Sequence, residues 1–78
     1  METYKTFKSS NEENKVEAFL NQHNNILVLV VVNNKEYSIE YFDDESEEER
    51  TDDFYFEYGT NENSTKAIEL INSFISNL

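Results

Sequence analysis

Carboxylates dominate the chemistry this chain can offer, and most of them stand in one run. Residues 43–53 read DDESEEERTDD, eight acids in eleven positions, opposed only by Arg50. Carboxylates crowded in this way can ligate a cation, work as a general acid and base, or face a basic partner. The first use needs oxygen ligands at fixed spacing, and an EF-hand calcium loop places glycine sixth and glutamate twelfth. Counted from Asp43 those places hold Glu48 and Phe54; counted from Asp44 the sixth holds Glu49. The turn glycine is missing in both registers. The second use needs one acid set apart from its neighbours, together with a nucleophile or an orienting group. The chain has no cysteine, no GxSxG motif and no phosphate loop. Its one histidine, His23, falls beside an expected helix C-terminus, where an imidazolium complements the dipole. No catalytic residue, metal site or cofactor is therefore expected, and the protein reads as a non-enzyme.

The totals favour the third use. Net charge is −11 over 78 residues, with six basic side chains. Such a balance repels nucleic acid and anionic membranes and attracts a basic partner. High charge with low hydropathy is also a signature of disorder. Eleven aromatics, a concentrated Val/Ile/Leu run, no proline and a single glycine argue instead for a folded chain. At this length one domain is expected, spanning 1–78. The longest apolar run, ILVLVVV at 26–32, has seven residues, far short of the roughly 20 a membrane helix needs. The N-terminal METYKTFKSS lacks the apolar core of a secretory signal. A cytoplasmic protein is expected.

The elements that must position the acids are read from spacing. Ser10-Asn11-Glu12-Glu13 has the form of a capping box, and Val16, Phe19 and Leu20 follow at helical spacing, predicting a first helix over about 11–23. Thr3–Phe7 before it is either a short strand or a tail. Ile26–Val32 is β-branched and apolar on both faces, as in a covered strand. Asn33-Asn34 tolerates positive φ and predicts a tight hairpin into a strand that alternates Tyr37, Ile39, Tyr41 with Glu36, Ser38, Glu40. FYFEY at 54–58 alternates likewise and predicts a third strand, with 43–53 as a long hairpin loop. Asn63 or Ser64 then caps a second helix whose stripe runs through Ala67, Ile71, Phe74 and Leu78. The expected fold is α+β: a two-layer sandwich in the order α-β-β-β-α, with a three-stranded antiparallel sheet and a helix at each end of the chain. In this arrangement Leu27, Leu29 and Val31 point away from the helices. Either the Thr3–Phe7 segment makes that strand central, or its second face meets another subunit, which leaves a homodimer open.

A loop as long as 43–53 is uncommon unless it is functional or disordered, although solvated charge is the plain alternative. Glu36, Glu40 and Glu57 on the flanking strands would carry the negative surface onto the sheet. Alternate strand residues stand about 6.8 Å apart, twice the 3.4 Å rise of a nucleotide, so such a ladder approximates a phosphate row. The expected partner-binding residues are Asp43, Asp44, Glu45, Glu47, Glu48, Glu49, Asp52, Asp53, Glu36, Glu40 and Glu57, with Tyr55 as an aromatic anchor. The stretch VNNKEYSIEY, 32–41, resembles the β-hairpin of a type II-A anti-CRISPR family, with Glu36 and Glu40 at matching positions. The likeness covers ten of 78 residues. The acidic block that follows and the flanking helices depart from that family's pattern. What the resemblance implies is a phage-encoded DNA mimic, acting in the host cytosol on a nucleic-acid-binding defence protein such as an RNA-guided nuclease. An immunity protein or antitoxin that masks a basic toxin, and a non-catalytic dimerising subunit, are the competing readings.

Overall fold

A computed structural model describes residues 6–10 (backbone), 15–20 and 23–77. Four strands come first and two helices follow: β1 (Thr6–Ser10), β2 (Lys15–Leu20), β3 (Ile26–Val32), β4 (Lys35–Tyr41), α1 (Glu47–Tyr58) and α2 (Glu62–Ser76). The strands form one antiparallel sheet in chain order, β1-β2-β3-β4. Both helices lie against one face, so the molecule is α+β and two-layered. The expected helix at each end of the chain is replaced by two consecutive helices after the sheet.

The hairpin and the last helix form as their sequences dictate. Asn33 and Asn34 both take positive φ, 51° and 64°, and reverse β3 into β4. Residues of β3 alternate: Val28, Val30 and Val32 are buried under the helices, while Leu27, Leu29 and Val31 are half-buried on the opposite face. In α2 the apolar stripe buries Ala67, Ile68, Ile71 and Ile75 against that valine row. Its cap is Asn61, two or three residues before the expected Asn63 or Ser64. The Asn61 side chain accepts from the Ser64 N–H, and the Ser64 hydroxyl accepts from the Asn61 N–H in return.

Two expected elements change type. The first is the helix over 11–23, where residues 15–20 form β2. Val16 and Ala18 are buried opposite Val30 and Val28, and Phe19 stands opposite Leu27 on the other face. The apolar set satisfies a period of two (Val16, Ala18, Leu20) as well as a helical one. Pairing with the otherwise bare edge of β3 decides between them. Ser10 accordingly ends β1 rather than capping a helix, and the rest of that box, 11–14, lies outside the described residues. His23 stands in the β2–β3 turn, which Asn24 completes at φ 64°. Thr6 and Phe7 belong to β1, and Thr3–Lys5 lie outside the described residues. β3 is central, as one alternative required, but its neighbour is β2.

The second change is at FYFEY, which is the last part of α1 and not a strand. Ser46 caps this helix: its hydroxyl accepts from the Glu49 N–H, and the Glu49 carboxylate accepts from the Ser46 N–H. Glu47, Glu48 and Glu49 in the first turn suit the positive end of the dipole. Once nucleated, the helix sorts the aromatics by fours. Arg50 and Phe54 turn inward, Tyr58 packs beside them, and Phe56 is 93% exposed. Gly59 stops it at φ 83° and ψ 165°, a backbone region essentially confined to glycine, with its N–H donating to the Tyr55 carbonyl.

Candidate functional site

The acidic run is therefore a turn and a helix, not a hairpin loop. Seven of its eight acids, Asp43, Asp44, Glu47, Glu48, Glu49, Asp52 and Asp53, are exposed, and Glu45 is half-buried. Arg50, the one cation in the run, points the other way and is 6% exposed. Its Nε donates to Asn72 Oδ1 at 2.8 Å, and its guanidinium lies 5.8 Å from the Tyr41 ring. Asn72 in turn donates to the Thr51 hydroxyl, so the two helices are locked together through this charge. Burying Arg50 removes its relief from the surface that the acids present.

Along α1 the sequence EEERTDDFYFEY carries six carboxylates. Over a length of about 18 Å that is one per roughly 3 Å, close to the 3.4 Å rise per phosphate on one DNA strand. Helical pitch, rather than the strand spacing expected for Glu57, supplies this density. Exposed Phe56 emerges from the same outer face, with Asp52 and Asp53 one turn back. A strand over 54–58 would instead put Phe56 on one face with Phe54 and Tyr58. Only the Ser46–Glu49 box, legible as S-x-x-E, could have warned otherwise.

Tyr55 does not serve as an exposed anchor. Its hydroxyl donates to the Thr65 hydroxyl at 3.0 Å, and its ring packs edge-on to Phe54 between the helices. Tyr37 is buried against Phe54 and Tyr58. Among the described residues Phe56 and Phe42 are the exposed aromatics.

Glu36 and Glu40 sit on β4, on the sheet face away from the helices. Glu36 is exposed, whereas the Glu40 carboxylate accepts from Asn25 Nδ2 at 2.8 Å. A groove of about 320 Å³ runs between the β4 edge and α1, and its lining residues include Glu40, Glu45, Arg50, Asp53 and Glu57. Ile39, Phe42 and Tyr58 give it an apolar lining. The remaining predicted acids do not line it. Burial raises the Glu45 pKa above its ordinary value, and a hydrogen bond to Asp53 and that group's charge add to the effect. Arg50 opposes the shift and Glu49 reinforces it.

Tyr58 also closes the sheet edge. Its hydroxyl accepts from the Ser38 N–H at 3.1 Å and donates to the Ser38 carbonyl at 3.2 Å, filling the outward hydrogen-bonding site at the middle of β4. Among the described residues no three His, Asp or Glu side chains converge as a metal site, and no helix is long and apolar enough to cross a membrane. The chain matches no protein-family model, no curated protein and no solved structure.

Proposed function

We propose that this protein binds a basic, nucleic-acid-binding protein in place of nucleic acid and thereby inhibits it. The observation that carries this reading is the sorting of charge in 43–53: the acids face outward and the one arginine is buried. Asp43, Asp44 and the acids of α1 supply the phosphate-like row, Glu36 adds an exposed carboxylate on the other face of the sheet, and Phe56 adds an aromatic contact. Arginine-rich clefts engage carboxylates bidentately, so paired acids suit them as phosphates do. The hairpin resemblance makes a defence nuclease the class of target to try first.

The test is competition. A basic nucleic-acid-binding partner should be displaced from labelled duplex DNA by this protein, with association that slows as salt rises. Substituting E47Q/E48Q/E49Q should weaken displacement at least tenfold while the helix persists, because glutamine also completes a capping box. Undiminished displacement after neutralising all eight acids of 43–53 would reject the reading, as would a ternary complex with DNA still bound.

A second reading, self-association through the sheet, is favoured by half-exposed Leu27, Leu29 and Val31 on the face without helices. Sedimentation of the wild type and of L29K separates it. A dimer abolished by L29K supports it, and a monomer at every concentration removes it.

A further inference from the structure

The groove between β4 and α1 combines features that the outer acids do not. It is concave, at the lower end of the roughly 300–1,000 Å³ range of binding pockets. Its wall includes Phe42, 43% exposed, an apolar ring that the core leaves uncovered. Tyr58 offers a second aromatic surface, and its hydroxyl is already committed to Ser38. Glu45, Asp53 and Glu57 line it beside this apolar surface, against the single positive charge of Arg50, which is held by Asn72 and Tyr41.

We infer that this groove receives one arginine side chain of a basic partner protein, with its stem along Ile39 and Phe42 and its guanidinium between Glu45 and Asp53. The inference rests on the basic partner proposed above and names the contact at its centre. A guanidinium fits better than an ammonium for two reasons. Its plane stacks on an aromatic ring, and its fork of N–H donors spans two carboxylates. A lysine brings only a strongly hydrated point charge. Glu49 and Arg50 on α1, and Glu40, Glu57 and Tyr58 around the groove, are the other charged or titratable groups at hand.

The experiment is a titration of the full chain with the blocked tripeptide Gly-Arg-Gly, followed by amide NMR shifts, beside Gly-Lys-Gly and Gly-citrulline-Gly. The arginine peptide should saturate shifts at Ser38, Phe42 and Tyr58, several-fold more tightly than the lysine peptide. Citrulline should leave those amides unmoved. E45Q/D53N should abolish the saturation, and F42S should weaken it while retaining a dispersed spectrum. Equal responses to arginine and lysine, or shifts confined to residues 47–49, would overturn the inference. The two proposals fail separately. Absent groove shifts with intact DNA competition remove the groove alone, whereas arginine binding without competition removes the inhibitory reading.

Discussion

Tyr58→Phe isolates the hydroxyl that closes the β4 edge. The ring stays, and with it the contacts to Tyr37 and Phe54 at centroid distances of 5.0 and 4.7 Å. Two hydrogen bonds disappear, to the Ser38 N–H and the Ser38 carbonyl. Each is worth about 0.5–1.5 kcal/mol net. Because β4 is an edge and Ser38 is only half-buried, water can reach both freed groups, which puts the total near 1 kcal/mol. For a domain of this size that corresponds to about 4–8 °C in Tm. Tyr58→Ala removes the ring as well and should cost about 3 kcal/mol. Urea denaturation of the three proteins measures the ordering, and hydrogen exchange at the Ser38 amide localises it. In Tyr58→Phe that amide should exchange about fivefold faster, the factor equivalent to 1 kcal/mol. An unchanged midpoint together with unchanged Ser38 exchange would refute the edge-closing role. Equal losses in Tyr58→Phe and Tyr58→Ala would show that the hydroxyl, and not the stacking, carries the residue's contribution.

Other outcomes follow from the same contacts. Ser46→Ala removes one half of the α1 capping box and should cost about 1 kcal/mol, read by denaturant midpoint, while Ser46→Asp should retain most of the stability. Gly59→Ala forces a Cβ into glycine's backbone region at φ 83° and should cost about 1–3 kcal/mol, although nothing crowds the added atom. Glu45 has a folded-state pKa above its unfolded one, so its contribution is present below the ordinary carboxylate range and is lost as pH rises through the raised value. Glu45→Gln should therefore be more stable than wild type near neutrality and match it in buffer below the ordinary carboxylate range. Thermal melts in the two buffers check this, and a wild type that gains as much as the variant on going to neutral pH would contradict it.

What could be read from sequence was whatever a short window decides alone. Asn33-Asn34 between a β-branched run and an alternating one admits a single local solution, and the stripe from Ala67 to Ile75 is too long to be a strand. Val16 to Leu20 is different. Val16 and Leu20 fit either period, Phe19 votes for helix and Ala18 for strand, and the vote is settled by the backbone of β3. FYFEY favours strand by composition and alternation alike. The competing signal lay eight residues upstream in Ser46 and Glu49, inside a run whose charge invited a loop. Seven of the run's eight acids lie exposed, and Glu45 is half-buried. The inward turn of Arg50, the exposure of Phe56 and the meeting of Glu45 with Asp53 all depend on a helix where a strand was expected. They could not be seen before it.

The order of elements also bears on how the chain is made. Each strand pairs only with its sequence neighbour, so the sheet can assemble from local contacts as it emerges, the kind that form quickly. Its valine face then waits for α2, which follows the sheet in the chain, to bring Ile68, Ile71 and Ile75. During that interval a nascent sheet shows a bare β-branched surface, the kind that recruits other unfinished chains. The segment that follows it from the ribosome is the most densely charged in the protein, and like charge flanking an exposed strand discourages such encounters. Carboxylates at that place in the chain oppose contact between sister chains while the core is still open.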